Sequence, residues 1–150
     1  MHNFIFQEIL DVNEINILSH QRSLFWDFLY QYDEETLDFL KSHITDDESY
    51  YLLVKEKNNF VAFISTDREW REKNSFFIRE IFIHPDFQKK KLGVILMNKC
   101  IDHAKKHHAR RVITQTAFEN IPMQKLCEGL GFRKWENSEW KEWITYRLCL

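Results

Sequence analysis

Glycine, proline and cysteine are scarce in this 150-residue chain: three Gly, two Pro and three Cys. The breakers are also confined. Pro85, Gly93, Pro122, Gly129 and Gly131 all fall in the second half, so no Pro/Gly-rich linker divides the chain and special backbone geometry is expected only there. No internal repeat or low-complexity tract is present, and residues 1–150 read as one domain. Cys100, Cys127 and Cys149 are odd in number and far apart, which fits neither a disulfide framework nor a zinc set and points to a reducing, cytoplasmic setting. No run approaches the ~18 uncharged apolar residues of a membrane-spanning helix. The start, MHNFIFQEILD, lacks a cationic stretch and meets acids early, so no secretory signal is expected. Net charge is only −2, while 44 % of residues are apolar and 15 % aromatic. Disorder needs the opposite composition and is excluded.

Hydrophobic spacing predicts the elements. Phe4–Ile9 alternates as a strand. Val12–Tyr30 carries Ile15, Leu18, Leu24, Phe25 and Phe28 at helical spacing, and Asp33-Glu34-Glu35 opens a second helix with Leu37, Leu40 and Ile44 on one side. Tyr50–Lys55 and Phe60–Thr66 form a hairpin around Lys57-Asn58-Asn59. Phe76–His84 is a strand stopped by Pro85, and Leu92–His108 a helix with Val94, Met97, Ile101 and Ala104 on one face. Then come a strand over Val112–Ala117, a helix over Ile121–Leu130 with Pro122 in its first turn and Gly131 past its end, and strands over Phe132–Trp135 and Trp143–Leu148. The order is β-α-α-β-β-β-α-β-α-β-β. Strand–helix–strand crossovers late in the chain imply a parallel pair inside a mixed α/β sheet, mostly antiparallel and flanked by helices.

The informative segment joins a strand to a helix. After Pro85 come Gln88, Lys89, Lys90, Lys91, Leu92, Gly93 and Val94, and the helix starts at once. Amides at a helix start lack internal partners and, with the helix dipole, form an anion site suited to phosphate. Three lysines add charge, and Gly93 allows backbone to approach a ligand. The alternative is a solvated lysine cluster, although cations at a helix start are unfavourable unless an anion compensates.

These residues resemble the GNAT family of N-acetyltransferases. The family's strand ends V-x-P and is followed by Gln/Arg-x-x-Gly-x-Gly/Ala; this chain reads Ile83-His84-Pro85, then Gln88-Lys-Lys-Lys-Leu-Gly93. A second family pattern, Asn-x-x-Ala-x-x-Leu-Tyr-x-x-x-Gly-Phe, is matched by Asn120 through Phe132. The two in register are more specific than either alone. The resemblance implies an acyl-CoA N-acyltransferase-like fold that moves acetyl from acetyl-CoA to a primary amine. By the same resemblance, the backbone of Ile81, Phe82 and Ile83 runs beside the pantetheine arm. Gln88–Val94 would cradle the pyrophosphate, Asn120 would lie near the acyl end, and the sheet would splay between Phe76–His84 and Val112–Ala117.

Three departures from the family pattern bear on the chemistry. Lys91 stands where the family has Gly, Cys127 where it has its proton-donating Tyr, and Gln115 where some members place a Glu base. Lys91 either pairs with phosphate or crowds the site. Cys127 is either a proton donor to the CoA thiolate or a small buried hydrophobe. A neutral amine needs a base, and Glu80, on the strand where many members carry one, is the candidate. Strict alternation puts Glu80 with Phe82 and His84, opposite Arg79, Ile81 and Ile83. Its alternative role is a surface carboxylate paired with Arg79 or a neighbouring strand.

Other constellations carry less. His103 and His107 have metal-ligand spacing but no intervening Glu, and crowding lysines suggest a cationic solvated face, with no metal expected. Gln88–Arg111 holds eight Lys/Arg and one acid, a stripe that could meet nucleic acid, yet no nucleic-acid motif accompanies it and the chain is net acidic. Trp135–Trp143 packs three Trp and three Glu into nine residues, and Asp33-Glu34-Glu35 adds acid. Aromatics with carboxylates suit a cationic amine acceptor, cross-strand Trp packing, or a homodimer contact. The competing functional reading is an acyl-CoA-binding module of the same fold without turnover.

Overall fold

The computed structural model describes residues 3–11, 13–14, 38, 41–42, 44, 48–69, 72–88, 91–136 and 142–150. The strands are β1 (Phe4–Glu8), β2 (Tyr50–Glu56), β3 (Asn59–Arg68), β4 (Ser75–Ile83), β5 (Arg111–Thr116), β6 (Arg133–Lys134) and β7 (Ile144–Cys149). The helices are α1 (Leu92–Lys106) and α2 (Ile121–Gly129), with a 3-10 turn at Pro85–Phe87. From Tyr50 onward the order is the one the sequence predicts. The two helices expected over Val12–Tyr30 and from Asp33 fall almost wholly outside the described residues, as do Asp33, Glu34 and Glu35. No helix among the described residues is long and apolar enough to cross a membrane.

One seven-stranded sheet runs β1-β2-β3-β4-β5-β7-β6. Among the described strands, only β4 and β5 pair in parallel; α1 is their crossover. The β2–β3 hairpin turns where expected, with Lys57 at φ 57. At the far end, Gly131 takes φ 95 just past α2, where Gly131 N–H bonds Glu128 C=O and Phe132 N–H bonds Cys127 C=O. This is the left-handed stop that favours glycine.

A bulge breaks the alternation of β4. Ser65 of β3 faces Glu80, but the next residue, Thr66, faces Ile78, so Arg79 is the extra residue. Phe76 and Ile78 before the bulge therefore share a face with Ile81 and Ile83 after it, against α1. Arg79 is not opposite Glu80, as strict alternation expects. It lies on the same face, its Nε bonded to Asp67 Oδ1 at 2.7 Å and its guanidinium 4.8 Å from the Phe77 ring.

The core lies between the sheet and α1. Leu92, Leu96, Met97, Cys100, Ile101 and Ala104 form the buried stripe of α1. They pack on Leu52, Val54, Ala62, Ile64, Phe76, Ile78 and Val112. Each fully buried Leu, Ile or Met contributes about 1.5–3 kcal/mol relative to exposure. Val94, expected on this stripe, is instead 39 % exposed, because the buried positions run through Leu92 and Leu96. The opposite sheet face buries Tyr51, Leu53, Phe63, Phe77 and Phe82.

Candidate active site at the β4–β5 fork

The parallel ladder between β4 and β5 runs from Ser75↔Arg111 to Ile78↔Thr114 and ends there. Past it β4 continues to Ile83, while Gln115 and Thr116 of β5 pair with Thr145 and Ile144 of β7. The sheet is therefore forked. The fork is pinned at its base, where Thr114 Oγ1 donates to Ile78 C=O at 3.1 Å.

The fork exposes main-chain donors. His84 N–H donates to Val61 C=O on β3 at 2.8 Å. By antiparallel alternation the polar groups of Phe82 and Glu80 also turn to β3, and those of Ile81 and Ile83 turn into the fork. Of the three residues expected to offer backbone, Ile81 and Ile83 thus face the opening, and Phe82 contributes its buried ring. The Ile83 carbonyl accepts from Gln88 Nε2 at 3.0 Å, which folds the loop back on the strand end. His84 Nδ1 accepts from Asp86 N–H, starting the 3-10 turn that Pro85 occupies.

The loop delivers the chain to α1. Lys89 and Lys90 lie outside the described residues. Lys91 is the N-cap residue at φ 63, ψ 8, the left-handed conformation that the family's Gly would take without strain. A side chain there costs roughly 1–2 kcal/mol. Lys91 makes no side-chain cap bond, and the first turn of the helix has no acid. The first main-chain bond is Ile95 N–H to Lys91 C=O at 3.1 Å. Gly93 serves packing. A Cβ there would stand 3.1 Å from Leu126 Cδ2 and 3.5 Å from Ile83 Cδ1, so glycine lets α1 sit against both α2 and β4. Leu92 is buried beneath the loop, and Val94 is exposed beside it.

Glu80 lies one step beyond the fork's base. Arg79, one partner the sequence offered for it, bonds Asp67 through its Nε. Burial pushes the Glu80 carboxyl up to about 7, only partly opposed by the Arg79 charge. Across the fork, Gln115 Nε2 donates to Thr145 Oγ1 at 3.3 Å. Asn120 begins α2, its Oδ1 accepting from Met123 N–H at 3.2 Å, which leaves its amide N–H groups for other partners. Cys127 is fully buried in the core, and burial, with the neighbouring Glu128 charge, pushes its thiol up to about 12. Tyr146 is held by a 2.7 Å bond to Glu128 Oε2.

The sequence matches the family model described as acetyltransferase (GNAT) family over residues 16–132. This chain belongs to the GNAT family. An uncharacterized N-acetyltransferase of Methanocaldococcus jannaschii is 31 % identical over 94 residues, 60 % of this chain and 42 % of that protein. The L-amino acid N-acyltransferase MnaT of Escherichia coli is 29 % identical over 86 residues, 55 % of this chain and 50 % of that protein. The chain thus spans about half the length of these relatives. Its fold matches the crystal structure of the PaiA N-acetyltransferase of Thermoplasma acidophilum in complex with coenzyme A, with a TM-score of 0.75 at 13 % identity, covering 99 % of both chains.

Among the other constellations, His103 departs from its sequence reading. His103 is packed rather than solvated, stacked on Tyr50 at 4.8 Å with Nε2 2.7 Å from the Glu48 carbonyl oxygen. Burial lowers its pKa, with the nearby His107 and Lys106 charges acting in the same direction. Two cations of the basic stripe have contacts of their own: Lys99 sits 4.6 Å over the Phe6 ring, and Arg111 bonds Glu72 at 2.6 Å. Trp135 carries the Arg147 guanidinium 4.6 Å over its ring, Trp143 is 44 % exposed, and Trp140 lies outside the described residues. The Arg79 bulge and the Thr114 latch were not readable beforehand. A bulge without glycine leaves no local signal, and a threonine on a strand is ordinary β composition.

Proposed function

We propose that the fork binds acetyl-CoA and that the protein transfers its acetyl group to a primary amine, with Glu80 as general base. One observation carries the reading. The β4–β5 ladder stops at Ile78 and Thr114, and the opening leads to an uncapped helix start with no acid in its first turn. That geometry fits an extended acyl donor ending in phosphates. The amides of Gly93 and Val94, with Lys91, would hold the pyrophosphate. Lys89, Lys90 and Gln88 would add charge and polar contacts, Leu92 would anchor the turn, and Ile81 and Ile83 N–H groups would bond the amide-containing arm. When bound, the donor supplies a thioester whose carbonyl carbon is the electrophile. The acceptor nitrogen forms the C–N bond as the C–S bond breaks, and Glu80 takes the nitrogen's proton, directly or through water. A carboxyl near 7 suits this task at neutral pH. The CoA thiolate takes its proton from solvent in this reading, because a Cys127 thiol held near 12 gives one up only uphill. Burial thereby favours the packing role of Cys127. That MnaT is named for L-amino acids makes small α-amines the first acceptors to try.

Purified protein, acetyl-CoA and a panel of L-amino acids and polyamines, monitored by release of free CoA thiol, test the proposal. Turnover that collapses in Glu80→Gln supports it. Full turnover in Glu80→Gln removes the base assignment. Saturable acetyl-CoA binding without transfer to any amine, the outcome that Cys127 in place of Tyr would favour, replaces the enzyme with a binding module.

A further inference from the structure

One buried polar group beside Glu80 has no assigned work. Ser65 is fully buried on β3, and its Oγ has no hydrogen-bond partner among the described residues. Buried hydroxyls are normally bonded, so such a group calls for a reason. The register supplies one. Tyr51, Ser65 and Glu80 stand directly opposite one another across β2, β3 and β4, in one row on one face. Directly opposed residues have Cβ atoms about 5 Å apart, a span that one water closes between a short hydroxyl and a carboxyl.

The side chains around that hydroxyl have contacts of their own. Asp67, the next residue of β3 on this face, accepts from Arg79 Nε. The Tyr51 ring packs edge-on against Phe63 at 6.1 Å. Gln115, across the fork, donates to Thr145. Among the described residues the ionisable groups facing Glu80 are therefore Arg79 beside it, Asp67 one row along and Tyr51 two strands away; α1 covers the opposite face.

We propose that Ser65 is the positioning residue for Glu80, its hydroxyl donating to the Glu80 carboxylate through one bound water and fixing where that carboxylate meets the acceptor's proton. The inference rests on the reading of Glu80 as base for its catalytic meaning, but the Ser65–Glu80 coupling is measurable without turnover. A donor to a carboxylate stabilises the charged form and lowers its pKa. Removing it shifts titration upward.

The test is NMR titration of side-chain 13C-labelled glutamate in the full chain, with the Glu80 resonance assigned by its loss in Glu80→Gln. Wild-type Glu80 is expected to titrate at about 7. Ser65→Ala is expected to raise the midpoint by about half to one pH unit, while Ser65→Thr, which keeps the hydroxyl, restores it. Ser65→Cys, a weaker donor of similar size, moves the midpoint the same way and serves if the alanine variant does not fold. An unchanged midpoint in both folded variants overturns the proposal. The activity readout separates the two claims. With an acceptor in hand, Ser65→Ala shifts the acid limb of kcat/KM by the same amount, lowering it about two- to fivefold at pH 7 with the KM for acetyl-CoA unchanged. If Glu80→Gln keeps full activity while Ser65→Ala still moves the Glu80 midpoint, the base assignment fails and the coupling stands.

Discussion

The two described α-helices touch through Gly93 and Leu126 yet begin in opposite ways. The start of α2 is closed by its own chain. Ile121 N–H bonds Glu119 C=O, Pro122 has no N–H, Met123 N–H bonds Asn120 Oδ1, and Gln124 N–H bonds Asn120 C=O. The start of α1 has no side-chain cap, no acid, and a lysine in the left-handed region. An uncapped, strained start sacrifices stability, and the same features make an anion site. One helix end is closed by its own residues and the other is not. The β4 strand repeats the contrast along its length, paired on both sides up to Ile78 and on one side beyond it.

The largest expected effect lies on the open side. Glu80→Gln should lower kcat/KM for an amine acceptor by about 10²–10⁴-fold without changing acetyl-CoA affinity, as read by initial rates and titration. The same variant should be more stable at alkaline pH. Glu80 has a folded pKa raised to about 7, so the fold binds its proton more tightly than the unfolded chain does. That contribution is fully present below about 4.5 and is lost as pH rises through about 7. Thermal melts should show wild type falling below Glu80→Gln between these values, with a constant gap above them. A wild type that melts identically to the variant at pH 8 would contradict the buried-carboxyl account.

Next in size is an attempt to close the open helix. Lys91→Asp replaces the cation with an internal anion at the same dipole. Acetyl-CoA affinity should fall about tenfold or more, roughly 1.4 kcal/mol, with folding intact by circular dichroism. Unchanged affinity would show that phosphate does not sit there. Opening the closed helix is a smaller change. Asn120→Ala should cost about 1 kcal/mol of stability in denaturant unfolding, and Asn120→Asp, which keeps the cap, should cost little. If Asn120→Asp nevertheless slows transfer, the amide contacts the donor as well as capping α2. Smallest is Lys91→Gly, which removes the left-handed strain. It should gain up to about 1 kcal/mol of stability while weakening acetyl-CoA binding severalfold, the trade expected when strain serves a ligand.

Much of this arrangement was legible in the residues. Pro85 and Gly131 marked true element ends, because hydrophobic period and breakers act locally, and the family resemblance, not the period, put the fork between the correct strands. What failed was set by three-dimensional contact. Gly93 read as a gap for phosphate, and only the approach of Leu126 and Ile83 shows that packing also demands it. Arg79 read as facing away from Glu80, and the bulge that turns it toward Asp67 is a property of the β3–β4 register. His103 read as solvated because its lysine neighbours are exposed, although its own ring stacks on Tyr50. The burial of Cys127 was one of its two sequence readings, whereas Ser65 carries no sequence signal of its burial, which the pairing of distant strands creates.

Isothermal titration of acetyl-CoA into the wild-type protein, with desulfo-CoA alongside, tests the central claim that the fork and the open helix start form an acyl-CoA site. The account expects saturable binding of both ligands, on the order of micromolar, weakened at least tenfold in Lys91→Asp. Absence of binding by folded wild-type protein, or binding indifferent to Lys91→Asp, would contradict it.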